Sequence, residues 1–563
     1  MVSSSRWANA RVYREYSTAI QLFGLPLSIF PISTLTACTV YPALLTLVLA
    51  CTVYWGIFLF GYDTGVAGGV ITTTAFKSAF GLTNASTAKI NNVSSNVVAV
   101  LQGGAFFGAL GSAPISNGIG RKWTLLGFAV FFLIGAALQT AAGSGTKGLN
   151  MIYVGRVIAG VGIGGISAVS PAYVSECAPK EVRGRITGLF QIWVACGVLV
   201  SYFVNYGISL HVHTGPRVWR IPFGIQFIPA GIMALGVIFC RESPRYLARA
   251  GKTEQALTNL AWYRNTTVDD VDTRQEMAEI EATILEEQEA RAGLGWKEAF
   301  FGPGNFIRFV IAIVIFMLQQ FCGQNSVSYY APTIFKSIGY TGTTPALLAS
   351  GVYGVVKVVA TAIFIFFFVE KFGRKWSLFF GALAMGTLFY IVGAVFKTHP
   401  PVIRTDGYVA PASRAMAGLI YLYVVAYSFS WGPLPWVYVS DIFPNRTRHY
   451  GLAIASASQW LFNFTISKIT PFMESALGYK LFITFATINI LGMATFAFLI
   501  PETKGKSLEE MDILFGSISH ADRMRDIQKA EQVVDNEAHL RPVHQHHGNE
   551  SDEKAAVSLE EHA

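Results

Sequence analysis

Charge is the first thing this sequence lacks. Only 13% of its 563 residues are Asp, Glu, Lys or Arg, and the mean hydropathy is +0.44. A soluble chain carries about 25% charged residues, so most of this one must sit in lipid. Metal-ligand spacing is also missing. The six cysteines, at positions 38, 51, 177, 196, 240 and 322, lie in or beside apolar segments, with no C-x-x-C pair. They read as buried small apolar residues. No P-loop, H-E-x-x-H or G-x-S-x-G motif stands where its chemistry requires, which argues against a membrane enzyme. Room for soluble domains is absent too, except at 241–306 and after 501.

What fills the chain is long apolar runs. A helix needs about 20 apolar residues to cross the hydrocarbon core. Twelve segments qualify, near 45–71, 96–116, 123–143, 150–175, 187–209, 220–240, 307–335, 344–369, 376–396, 414–440, 450–472 and 480–500. One set of turns between them carries Arg121, Lys122, Lys180, Arg183, Arg185, Lys371, Arg374, Lys375, Arg446 and Arg448. The opposite turns among the first four segments carry only Lys77, Lys89 and Lys147. Basic residues favour the cytoplasmic side, so the first set and both termini are expected there. Arg217, Arg220, Lys397, Arg404 and Arg414 on the other side run against that rule. Basic charge here reads as topology, not nucleic-acid binding.

The turns also repeat. Gly120-Arg121-Lys122 is echoed by Gly373-Arg374-Lys375, and Glu176-Cys-Ala-Pro179-Lys-Glu-Val-Arg183 by Asp441-Ile-Phe-Pro444-Asn-Arg-Thr-Arg448. A duplicated set of spans implies two related bundles. The expected fold is all-α and membrane-integral: twelve transmembrane helices in two six-helix bundles, with a cytoplasmic helical loop. The expected units are a cytoplasmic N-terminus at 1–44, bundles at 45–240 and 307–500, the loop at 241–306 and a mostly disordered cytoplasmic tail at 501–563. The apolar stretch 22–44 is not counted as a functional span. In the loop, Glu276, Glu279, Glu281, Glu286, Glu287 and Glu289 surround Met277, Ile280, Ile284 and Leu285, an amphipathic helical pattern. Asn84-Ala-Ser86 and Asn92-Val-Ser94 are glycosylation sequons in the first outer turn.

Ionisable residues inside spans are costly and read as functional. Asp63 in the first span and Arg156 in the fourth would offset each other's desolvation. Protonating Asp63 would release Arg156 and couple a proton to a conformational change; a static ion pair is the alternative. Gln191, Gln319, Gln320 and Asn325 offer donors and acceptors that suit a polyhydroxylated ligand, or they are glue between helices. Gly323 marks a break where freed backbone lines a cavity. Trp436 and Trp460, with Tyr329 and Tyr330, offer flat apolar walls. Lys357 and Lys468 stand mid-span with no acid near them in sequence. Such lysines deprotonate, snorkel or bind an anion, and two of them favour a carboxylate-bearing substrate.

Together these motifs resemble the sugar porter family of the major facilitator superfamily across about 55–515, and most of all its fungal branch of quinate permeases and sugar-acid transporters. The resemblance rests on Phe60-Gly-Tyr-Asp63, Gly118-Ile-Gly-Arg121-Lys122, Arg241-Glu-Ser-Pro-Arg245, Gln319-Gln320…Asn325, Glu370-Lys-Phe-Gly-Arg374-Lys375, Gly432-Pro-Leu-Pro-Trp436 and Pro501-Glu-Thr-Lys-Gly505. It implies sugar contacts at Gln191, Gln319, Gln320, Asn325, Trp436 and Trp460, and a proton-symport pair at Asp63 and Arg156. It also implies a cytoplasmic charge network that latches the outward-facing state: Arg121, Glu176, Arg183, Arg245, Glu370, Arg374, Asp441 and Arg448. Asn117 stands where the family has Asp, and Asp441 where Glu is usual. Lys357 stands where sugar carriers place an Asn, which fits an acid better than a neutral hexose. The expectation is a proton-coupled symporter of a sugar-like acid such as quinate or galacturonate, with Lys357, and Lys468 assisting, on the carboxylate. Neutral hexose or pentose transport is the alternative, and a non-transporting nutrient receptor a minor one. The expected setting is a monomer in the plasma membrane, driven by the proton gradient without a cofactor.

Overall fold

The computed structural model describes residues 37–179, 182–291, 296–302, 304–340, 342–368, 373–401, 409–444, 446–506, 510–511 and 514–516. Twelve spans cross it. In the first half they are Ala37–Thr72, Thr87–Ile119, Arg121–Ala141, Gly145–Cys177, Arg183–His211, and a sixth made of Arg217–Ile225 and Phe227–Phe239. The second half opens with span 7, in three pieces: Asn305–Phe321, Gln324–Tyr329 and Ala331–Ser337. Span 8 is Thr343–Ile363 with a π-helical turn at Phe364–Phe368, and span 9 is Arg374–Thr398. Span 10 is Pro411–Ser428 and Leu434–Ile442, and span 11 is Arg448–Leu477. Span 12 runs from Lys480 to Leu499 through a π-helical stretch, Ile488–Ala494. The first helix starts at Ala37, inside the apolar stretch set aside above; residues 22–36 lie outside the described residues.

Nine of the described helices are long and apolar enough to cross a membrane unaided. The other three spans are 7, 10 and 11. Spans 7 and 10 are broken, and span 11 carries Arg448, Lys468 and Glu474. The departures from a plain apolar helix therefore fall on the spans that hold most of the candidate site.

The halves pack differently. Spans 2 and 4 meet backbone to backbone through Gly104 and Gly108 on one and Gly160 and Gly164 on the other. A Cβ on Gly104 would stand 2.2 Å from the Val157 carbonyl oxygen, and one on Gly160 2.1 Å from that of Leu101. Spans 1 and 5 meet the same way at Gly61 and Gly197. Small residues at i and i+4 let helices approach closely when lipid supplies no hydrophobic drive. The second half packs more through rings, such as Phe389 stacked on Tyr423 at 3.9 Å.

Four helices, Pro244–Arg249, Thr253–Arg264, Val271–Arg291 and Trp296–Phe301, join the halves on the face that bears the Gly-Arg-Lys turns, here the loop face. Leu247, Leu260 and Met277 form their small core. Ile284 is buried as its spacing predicts, but Leu285 is 58% exposed and lies off the stripe. On the opposite, far face, hydrogen bonds cross between the halves. Tyr202 donates to the Ser328 carbonyl at 2.5 Å, Asn91 to Ser475 at 2.7 Å, and Lys468 to Asn96. Gly68 of span 1 lies so close to Tyr329 that a Cβ would stand 2.0 Å from its carbonyl oxygen. The two bundles are thus closed against each other at the far face.

The glycine seam predicts a sharp contrast. Gly160→Val forces spans 2 and 4 apart and should cost more than about 1 kcal/mol, seen as loss of the monodisperse peak in fluorescence-detected size-exclusion chromatography. Gly111→Ala, with nothing within 4 Å of its Cβ position, should elute as wild type.

Candidate functional site

A polar cluster is buried in the first half. Arg156 is fully buried and Asp63 is 1% exposed, with 3.5 Å between Nη1 and Oδ1. That is long for an ion pair. The nearer donor to Asp63 is the Gln226 amide, at 2.8 Å. Gln226 stands at the break in span 6, and Gln139 accepts from Arg156 at 3.5 Å. Asp63 Oδ2 and Arg156 Nε and Nη2 have no hydrogen-bond partner among the described residues. Breaking such a pair strands a charge, so only gain or loss of a proton, or a rearrangement of the helices, changes it cheaply. The sequence reading named Asp63 and Arg156 but missed Gln226, a neutral residue in no motif.

The second half holds an amide relay. Gly323 adopts φ +98, in the left-handed region open to glycine, and span 7 breaks there. The freed Cys322 carbonyl accepts from Tyr423 at 3.0 Å and Asn489 at 3.2 Å. Gln319 donates across to the Trp431 and Gly432 carbonyls, at 2.7 and 3.2 Å, at the break in span 10. Gln320 donates to Gln319 at 2.9 Å, and Asn325 donates to Gln320. Gln319 and Gln320 are buried while Asn325 is partly exposed, so the relay has one open end. Trp436 is partly exposed against Phe316, centroids 4.6 Å apart. Trp460 is buried against Phe60 of the other half, at 5.1 Å. Gln191 lies on the face of span 5 that also presents Val198 and Tyr202, at i+7 and i+11, and Tyr202 reaches span 7.

The two lysines part company. In span 8, Leu348, Val352, Val355, Val359 and Ile363 are exposed and mark the lipid stripe. Lys357 is two residues from both Val355 and Val359, about 200° round the helix. It therefore points away from the lipid stripe and is neither fully buried nor fully exposed. One turn away on the same face, Tyr353 bonds Gln324 at 2.6 Å and Ser328 at 2.9 Å. Lys357 thus lies under the span 7 break and has no acidic partner among the described residues. Lys468 instead faces span 2, where its ammonium meets the Asn96 side chain. In this state it ties the halves together rather than joining the amide relay.

On the loop face the paired motifs do paired work. Arg121 meets Glu176 at 2.8 Å, and Ser243 donates to the other Glu176 oxygen at 2.5 Å. Arg374 meets Asp441 at 3.4 Å, and Thr503 donates to that carboxylate at 3.0 Å. Glu242 accepts from the backbone N–H of Arg121 at 2.9 Å and of Lys122 at 3.1 Å, and Glu502 from those of Arg374 at 2.8 Å and Lys375 at 3.1 Å. Each acid caps the span after a Gly-Arg-Lys turn, where orphan N–H groups and the helix dipole favour a carboxylate. Burial pushes the Glu242 carboxyl up, against the pull of the Ser243, Lys122 and Arg121 amides and the Arg121 charge. Both acids stood in quoted motifs, yet their capping role was not read. Asn117 is exposed at the end of span 2. Arg245 pairs within the loop helices, sharing Glu287 with Arg249 at 2.6 and 2.7 Å. Arg183 donates to the Ala178 carbonyl at 3.3 Å, and Arg448 lies within electrostatic range of Asp441 and Glu287. Glu370 lies outside the described residues.

Two six-span bundles, buried polar groups at mid-depth and matched charge clusters on one face define a multi-pass membrane transporter of the major facilitator type. The chain belongs to the family described as "Sugar (and other) transporter", whose model matches residues 48–515. It is 39% identical over 461 residues to a probable quinate permease of Aspergillus clavatus, covering 81% of this chain and 85% of the relative. Identity and coverage are the same for a probable quinate permease of Aspergillus niger. Among solved structures, the proton:xylose symporter XylE bound to 6-bromo-6-deoxy-D-glucose is 30% identical with a TM-score of 0.68, covering 84% of this chain and 99% of that one. XylE from E. coli in a partially occluded inward-open conformation is 29% identical, also at 0.68, covering 82% and 99%.

The twin caps give a testable symmetry. Glu242→Ala or Glu502→Ala removes a helix-capping acceptor worth about 1 kcal/mol. Each should lower the melting temperature in detergent by a few degrees, and the conservative Gln variants should lose less.

Proposed function

We propose that this sugar-family transporter is a proton symporter of a small polyhydroxylated acid, of the quinate or hexuronate kind, working by alternating access around a midplane site. The loop face is cytoplasmic and the membrane is the plasma membrane. One observation carries the reading: Lys357 points away from lipid, one helical turn from Tyr353 and its bond to Gln324 beside the span 7 break, with no acidic partner among the described residues. A cation held there without a counter-ion suits a ligand that brings one. The open end of the amide relay at Asn325, with Gln191 and the Trp436 ring, would read hydroxyls. Asp63 would carry the proton, Gln226 holding the ionised carboxylate and Arg156 supplying the opposite charge. The names of the quinate permeases favour the acid; those of the xylose symporter structures favour proton coupling.

Neutral sugar transport is the second reading, supported by the same amides and by the sugars named with XylE. Uptake of labelled quinate, galacturonate and glucose by cells expressing the chain decides between them, and any uptake removes the receptor alternative. For the acid reading, quinate or galacturonate should accumulate; glucose uptake indifferent to excess acid overturns it. Lys357→Asn should cut acid uptake at least tenfold, and unchanged uptake would clear Lys357 of the role. Asp63→Asn should abolish accumulation against a gradient while sparing exchange; surviving accumulation would move the proton elsewhere.

A further inference from the structure

The far face carries charge that the topology does not require. Its described turns hold nine basic residues and one acid, Glu474. Lys77, Lys89, Lys147, Arg217 and Arg220 come from the first half. Lys336, Lys397, Arg414 and Lys480 come from the second. Between Lys397 and Arg414 the sequence adds Arg404 and Asp406, which cancel. Some of these cations have structural work: Arg220 donates to the Ala141 and Ala142 carbonyls at the end of span 3, and Lys397 stands over the Tyr479 ring. Others do not. Lys77, Lys89, Lys147 and Lys480 have neither an acidic partner nor a hydrogen-bonded one among the described side chains.

Position separates two of them from the lipid rim. Lys77 lies on the short helix Thr74–Ala79 of the first half, and Lys336 at the far end of span 7 in the second. The Ala331–Ser337 piece of span 7 packs against span 1, which leads directly into the Thr74–Ala79 helix, and the two lysines lie within electrostatic range of each other. Lys336 is partly buried and donates to Thr343 at 3.3 Å, a neutral partner. Lys468 also stands at the junction of the halves, with its neutral partner Asn96 on span 2, and Lys357 lies deeper, on span 8. Lys77, Lys336, Lys357 and Lys468 have a neutral hydrogen-bonding partner or none among the described side chains, and one carboxylate, Glu474 of span 11, lies on the same face within electrostatic range of Tyr330.

We propose that the far-face mouth is an anion-capturing vestibule, with Lys77 and Lys336 at its gate, that draws the substrate's carboxylate toward the seam before the halves open. The proposal rests on the acidic-substrate reading and on the loop face being cytoplasmic. Like charges held together at a mouth repel, and an anion between them offsets that repulsion. A cleft of one sign raises the local concentration of the opposite ion, an effect that salt screens. The Debye length falls from about 30 Å at 0.01 M to about 8 Å at 0.15 M.

The test uses the full chain in phosphatidylcholine proteoliposomes oriented with the far face out, so that lipid carries no net charge. Initial uptake of labelled quinate, galacturonate and xylose is measured at fixed pH with an impermeant salt between those two ionic strengths. For the transported acid, KM should rise roughly threefold or more across that range while kcat holds. The double variant Lys77→Gln/Lys336→Gln should start at the higher KM and lose most of the salt dependence, with kcat kept. Should the double variant lack kcat, Lys77→Gln alone carries the same readout. An acid transported with a KM indifferent to salt, or a salt dependence unchanged in the variant, overturns the vestibule and leaves the substrate reading standing. Uptake of xylose without either acid overturns both.

Discussion

A backbone N–H or C=O in hydrocarbon must find a partner within the protein, and that constraint organises this molecule. A straight helix meets it alone. A broken one needs substitutes, and the breaks occur where side chains supply them. At Gly323 the Cys322 carbonyl is taken up by Tyr423 and Asn489. At the break in span 10 the Trp431 and Gly432 carbonyls are taken up by Gln319. One amide thus ties the two broken spans, and the same Gln319 begins the relay that ends at Asn325. At Gln319 candidate site and structural repair coincide, so a substrate that engaged Gln319 or Gln320 would act directly on how spans 7 and 10 are joined.

The distribution of contacts across the halves follows a second constraint. A carrier that alternates cannot be locked at both faces at once. Here the far face is joined by Tyr202 to Ser328, Asn91 to Ser475 and Lys468 to Asn96. On the loop face Arg121–Glu176 closes within the first half and Arg374–Asp441 within the second. The charge network that the family resemblance assigns to locking the outward-facing state is therefore present as two half-latches. Lys468 gains a role from this. A bond across the seam must break when the far face opens, and its ammonium is then released toward that face.

Much of the scaffold was legible because membranes simplify the code. Twelve apolar runs, paired Gly-Arg-Lys turns and a Gly at a polar interruption each have one inexpensive structural solution. Asp63 and Arg156 were legible because charge in a span needs a reason. Gln226 was not, since a glutamine in an apolar run has many bland uses and its partner is distant in sequence. Glu242 and Glu502 hid for a related reason: an acid in a polar turn looks like surface, and only the fold aims it at a helix start. Lys468 was read as a partner of Lys357 because both are lone mid-span lysines. What separates them is azimuth, one facing span 2 and the other the interior, and a list of residue types does not carry azimuth.

The halves share a layout but divide their physics. The first has backbone-tight glycine seams around a fully buried ion pair. Such packing resists small adjustments, so a change of charge at Asp63 is relieved by moving whole helices rather than single side chains. The second half has four of its spans broken or widened, span 7 at Gly323, span 10 at Phe429–Pro433, and spans 8 and 12 in their π-helical stretches, which suits local adjustment around a ligand. If the proton acts at Asp63 and the ligand on the second half, as proposed above, coupling needs a mechanical link between a stiff half and a pliable one. Phe60 against Trp460 supplies one at mid-depth, because Phe60 precedes Asp63 by about one turn and Trp460 begins the interior stripe of span 11 that continues through Asn463 and Ser467 to Tyr329 and Tyr330. A shift of span 1 would bear on span 11 through that ring contact. The stripe in turn contacts the far-face part of span 7, where the closure is made.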